Sequence, residues 1–224
     1  MRTRLMILPL ALGLALSASA YADDRTSIDK VNGSIHAEAG RAFGSLETVN
    51  GSIEIDANVQ AGSAETVNGG IRIGDGAQVG ELTTVNGGIH IGSKLRIGGD
   101  VTTVNGGILI DSGSTVSGGI ETVNGAIGLI STDVSRGVRT VNGDITVGVG
   151  SHVHGGIHVE KPQMQMISFH KRDPRIVIGP NAQVDGALVF ERPVTLYVHD
   201  SAKIGAVTGA TVRRFSGATP PAAP

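Results

Sequence analysis

His152 and His154 flank Val153, and His158 follows four residues later. In an extended strand, residues two apart project to the same side, so the first two imidazoles form a pair able to hold a metal ion. No cysteine and no nearby carboxylate pattern completes a ligand set, and a solvated histidine pair is the bland alternative, so no metal ligand is assigned. His36 and His90 share a repeat position with Glu54, Arg72, Leu109 and Thr146, which gives no uniform catalytic row. Glu47, Glu65 and Glu121 each precede a threonine, and one repeat of separation would put Glu47 and Glu65 about 5 Å apart, within reach of retaining-glycosidase geometry. Thr83 and Thr102 interrupt that series, so no catalytic or cofactor-binding residue is assigned. Thr48, Thr66, Thr84, Thr103, Thr122 and Thr140 recur at one position and are expected to form an outward row. An evenly spaced threonine row suits ice binding, but the neighbour that shares its face is asparagine rather than a second threonine.

What positions these residues is a repeat. Val-Asn-Gly occurs seven times, with asparagines at Asn32, Asn50, Asn68, Asn86, Asn105, Asn124 and Asn142, and an isoleucine follows two residues after every glycine. The intervals are 18, 18, 18, 19, 19 and 18 residues, too short for a helix-pair repeat. Within them runs a beat of six: Ile55, Ala61, Val67, Ile73, Val79, Val85, Ile91 and Ile97 are all apolar. Three short strands per repeat, separated by residue types that accept positive φ, predict a triangular coil. The inward residues are expected to be Ile71 and Ile73, Ala77 and Val79, Thr83 and Val85. The fold class is therefore all-β: a single-stranded parallel β-helix, or β-solenoid, of triangular coils of about 18 residues. The asparagines are read as left-handed corner residues whose amides stack in a ladder. A rival reading makes Asn-Gly a hairpin turn, but it leaves the apolar third corner at Ala61 and Val79 without a reason.

A single coil cannot fold alone. It buries about six small or medium side chains, roughly 6–12 kcal/mol gross, against about 18–36 kcal/mol for ordering eighteen backbones. Stacking supplies the missing hydrogen bonds and seals the apolar column.

Residues 1–22 carry Arg2 and Arg4, an apolar run and a closing Ala20-Tyr21-Ala22, the pattern of a secretory signal peptide. The remainder divides into a solenoid over 23–216, with regular repeats over 31–159, an irregular segment over 160–175, degenerate coils over 176–212, and a disordered tail over 217–224. The irregular segment is expected to form a coil of its own, since Val159 and Ile178 lie nineteen residues apart. Without the two leading arginines the chain has 16 basic and 20 acidic side chains, a net charge of −4, which is no footprint for nucleic acid. The export signal and the absence of cysteine predict a periplasmic or cell-surface protein of a Gram-negative bacterium, with no membrane span once the signal is removed.

Thr48-Val49-Asn50-Gly51-Ser52-Ile53-Glu54-Ile55 resembles the repeat of a large family of exported bacterial adhesin domains. Ile73-Gly74-Asp75-Gly76-Ala77-Gln78-Val79-Gly80 and Ile176-Val177-Ile178-Gly179-Pro180-Asn181-Ala182-Gln183-Val184-Asp185-Gly186 are similar to bactofilins, which are polymer-forming β-helices. These resemblances imply a right-handed helix and no catalytic residues. The expected function is a non-catalytic structural or adhesin-like module that presents repeated rows to an envelope polysaccharide or protein. The alternatives are a polymer-forming scaffold joined through coil ends, and an ice-binding or polysaccharide-active β-helix.

Overall fold

The structure, a computed structural model, describes residues 25–162 and 172–221. The expected signal peptide, the middle of the 160–175 segment and the last three residues of the tail lie outside them. Every strand pairing is parallel, which excludes the hairpin alternative. The chain is a β-solenoid of about ten coils, each contributing a rung to three faces.

The isoleucine face is a ten-stranded stack that begins Ile35–Ala37, Ile53–Ile55, Ile71–Ile73 and ends at Val212–Phe215. Through the regular repeats residues alternate inward and outward, as in Ile71–Ile73 with both isoleucines buried and Arg72 exposed, whereas in the upper coils Val177 and Tyr197 are buried as well. Next comes a short face whose rungs include Arg96–Ile97, Thr115–Val116, Asp133–Val134 and His152–Val153. The threonine face follows, with rungs such as Val101–Asn105 and Ile120–Asn124. In early coils a single strand, Gln60–Asn68 or Gln78–Asn86, turns the corner between these last two faces without a break. The inner sides of all three faces merge into one apolar core running the length of the stack.

On the threonine face the expected orientation is inverted. Leu82 and Thr84 point inward and are fully buried, whereas Thr83 and Val85 lie on the outer side. All six motif threonines are at most 4% exposed, so the outward threonine row does not exist. The reason is a backbone acceptor inside the corner. Thr48, Thr66, Thr84, Thr103 and Thr122 donate through Oγ1 to the carbonyls of Gly33, Gly51, Gly69, Gly87 and Gly106, at 2.8–3.0 Å. Each hydroxyl thus satisfies a carbonyl that turns inward one coil below. Thr140 alone in the row has a buried Oγ1 with no partner.

That difference sets up a paired test. Thr84→Val should cost about 1–3 kcal/mol, because it strips the Gly69 carbonyl of its hydroxyl partner. The same isosteric change at Thr140 should be neutral or stabilising, since it removes a hydroxyl that bonds to nothing. Urea denaturation of the two variants measures both, and equal losses would contradict this account of the row.

Left-handed backbone also falls elsewhere than expected. It occurs once per coil between the isoleucine and short faces, at Gly40, Asn58, Gly76, Lys94, Gly113, Ser131, Gly150 and Asn181, and at none of the asparagines of the ladder; of the motif glycines only Gly33 has positive φ, and Gly209 and Gly217 adopt it near the upper end. The glycine after each asparagine serves close approach instead. A Cβ on Gly69, Gly87, Gly106 or Gly125 would lie 1.9–2.0 Å from the carbonyl oxygen of the equivalent glycine below.

Residues 160–175 add no rung of their own to the stack, so they are not the separate coil that the spacing suggested. Ile145 pairs with Ile176, and Val159 with Phe190, so one coil spans 31 residues and the next rung resumes in register. The excess leaves and rejoins the stack between the threonine and isoleucine faces. Where it rejoins, Arg172 forms an ion pair with Asp144 at 2.5 Å, and the Arg175 backbone N–H donates to the same carboxylate. In the described part of the tail, the Pro221 carbonyl accepts from the Arg175 guanidinium.

Candidate functional site

The asparagine ladder is continuous. Each Nδ2 donates to the Oδ1 of the asparagine one coil below, from Asn50 to Asn32 up to Asn142 to Asn124, at 2.9–3.1 Å. Arg192 closes its upper end by donating to Asn142 Oδ1 at 2.6 Å and to the Val141 carbonyl. Within the run each amide spends one N–H and one lone pair on the ladder. One donor and one acceptor per coil remain available to the outside.

Two residues beyond each asparagine lies a row of small side chains: Ser52, Gly70, Gly88, Gly107 and Ala126. Together with the outward row Glu54, Arg72, His90, Leu109 and Gly128, they line a trough of about 680 Å³ along the isoleucine face. The trough crosses five coils, or about 20 Å at strand spacing. Past Ala126 the small row ends at Asp144, which is engaged by Arg172. The sequence predicts the ladder but not the trough; its signal is the change from Ser52 to Gly70, Gly88 and Gly107 after Asn-Gly, residue types that turn chemistry alone also explains.

Glu47 and Glu65 are paired across neighbouring rungs of the threonine face, on its outer side. Partial burial holds the Glu65 carboxyl above the usual carboxylate range, with the charges of Glu47 and Glu81 adding to it. Thr83 and Thr102 continue this row before Glu121, as the sequence indicated. Its members line neither end of the trough, so they do not complete a carboxylate pair around a substrate groove there.

His152 and His154 do project outward together, with ring centroids 3.8 Å apart. The sequence pointed to no carboxylates beside them, yet the coils below and above supply Asp133 and Asp185. His158 faces another neighbour, with Nε2 3.0 Å from Glu191. Among the described residues no helix is long and apolar enough to cross a membrane. Compared with protein-family models, curated proteins and solved structures, the chain matches none.

Proposed function

We propose that the chain is a non-catalytic, exported β-solenoid of structural or adhesin-like type, whose isoleucine-face trough and asparagine ladder hold a hydroxyl-rich envelope polymer. The observation that carries this reading is the ladder beside the trough. An extended polysaccharide lying along the axis would meet one free amide donor and one free acceptor at every coil, over a floor of Ser, Gly and Ala that lets it approach the backbone. Individually weak contacts repeated at constant spacing add up through multivalency. The trough's edge also mixes charge and apolar surface, with Glu54, Arg72, His90 and Leu109 in line, which suits a neutral polymer better than a highly charged one. Ice binding loses its support, because the threonines that motivated it are inside.

Retention of the purified protein on immobilised envelope polysaccharides tests this. Ser52→Gln with Ala126→Gln fills the trough at two positions that already carry a Cβ, and should reduce retention at least about tenfold while leaving the fold intact. Retention equal to that of the unmodified protein, or no retention of either, would overturn the reading.

A further inference from the structure

The cluster on the short face lies outside the trough and stands on different geometry. Asp133, His152 and Gln183 are in register on three successive coils. The next inward residues, Val134, Val153 and Val184, are also paired. One residue further on, His154 and Asp185 are therefore neighbours across the same two coils. The result is two histidines on the middle coil with a carboxylate below and another above.

One oxygen of each carboxylate faces both rings. Asp185 Oδ2 is 2.8 Å from His152 Nε2 and 3.5 Å from His154 Nδ1. Asp133 Oδ2 is 3.2 Å from His154 Nε2 and 3.9 Å from His152 Nδ1. Two separate ion pairs would need only one partner for each acid. Here every acid is shared, and donor atoms of Asp133, His152 and His154 all lie within 4.8 Å of one another. A tetrahedral ion with bonds near 2.0–2.1 Å has its ligand atoms about 3.3 Å apart, and Asp133 Oδ2 lies 3.2 Å from His154 Nε2 and 3.9 Å from His152 Nδ1. Beyond the cluster, Gln183 Nε2 donates to Asp185 Oδ1 at 2.6 Å, which fixes the carboxylate with its other oxygen turned to the histidines. Asp185 in turn sits 2.8 Å from His152 Nε2, and a carboxylate behind a ligating histidine is how such ligands are oriented.

We propose that Asp133, His152 and His154 bind one divalent transition-metal ion, of the class represented by zinc, through Asp133 Oδ2, His152 Nδ1 and His154 Nε2, with Asp185 behind the two rings at their other nitrogens. Two imidazoles and one carboxylate suit an ion of borderline softness better than magnesium or calcium, which favour all-oxygen sites. Three protein ligands hold a tetrahedral ion and leave its fourth position to solvent. Its position gives it work to do: the lower pair of coils precedes the 31-residue coil and the upper one follows it. The ion ties the lower two coils together, and Asp185 links the histidines to the coil beyond the interruption. The four side chains are partly exposed, between 30% and 44%, so an ion can reach them from solvent.

Titration calorimetry of tag-free, chelator-treated protein with zinc chloride tests the assignment. The expected result is one zinc per chain, with affinity lowered at least about 100-fold in His152→Asn/His154→Asn and about 10–100-fold in Asp133→Asn/Asp185→Asn. Zinc should raise the melting temperature of the unmodified protein and leave that of the double-histidine variant unchanged. Circular dichroism establishes that both variants are folded. Equal zinc affinity in the variants, or no binding by the unmodified protein below about 100 μM zinc, where such binding would already be weak, would overturn the proposal.

Discussion

Gly87→Ala should destabilise the protein by about 3 kcal/mol or more and lower its melting temperature by about 6–12 °C. A Cβ there would lie 2.0 Å from the Gly69 carbonyl oxygen, and the obstacle is backbone on both sides. That oxygen already accepts the hydroxyl of Thr84. It cannot retreat without breaking this bond, and moving it displaces the rung below. The second glycine of the same Asn-Gly-Gly provides the control. A Cβ on Gly88 would come no closer than 3.2 Å to the Gly107 carbonyl, and the equivalent row position is serine at Ser52 and alanine at Ala126. Gly88→Ala should therefore change stability by less than about 1 kcal/mol. Thermal melts of the two variants check the contrast, and a tolerated Gly87→Ala would remove the explanation offered for the motif.

That explanation is that threonine and glycine of Thr-Val-Asn-Gly act on one atom. The threonine bonds the inward carbonyl of the coil below, and the glycine leaves room for it. Neither role was visible in the sequence, because each depends on a neighbour fifteen to nineteen residues away. Period and alternation revealed three faces, the inward isoleucines and the amide ladder, since these follow from spacing alone. They misplaced the threonine face by one residue because hydrophobicity was the only criterion: Val85 looked like core and Thr84 like surface. The valine is nonetheless half-exposed, and the polar residue is buried to satisfy the corner. Left-handed backbone was assigned to Asn-Gly on residue type, yet Lys94 and Ser131 adopt it at another corner, where topology overrides preference. The Asp133 and Asp185 partners of the histidines escaped notice for a related reason. Asp185 is 33 residues from His152, and only the excursion that lengthens one coil makes them neighbours.

The two ends of the stack decide between a single rod and a filament. On the lowest rung Lys30 is paired with the buried Thr48, so it occupies an inward position, and its Nζ donates to the Ser34 carbonyl at 2.8 Å. On the highest rung Arg214 is paired with the buried Val198 and donates to the His199 carbonyl at 3.2 Å. A second copy stacked on either end would drive one of these cations into an apolar column. Desolvating an unpaired charge costs several kcal/mol, and an inward charge on an edge strand is a known device against strand-to-strand aggregation. The protein should therefore sediment as a single species across micromolar concentrations, a rod of about 50 Å. Lys30→Thr with Arg214→Val restores the residue types of the interior coils and should convert it to concentration-dependent, end-to-end oligomers, seen as longer rods by electron microscopy. Filaments of the unmodified protein at the same concentrations would favour the polymer-forming scaffold instead. A double variant that stays monomeric would mean that something other than these two charges closes the ends.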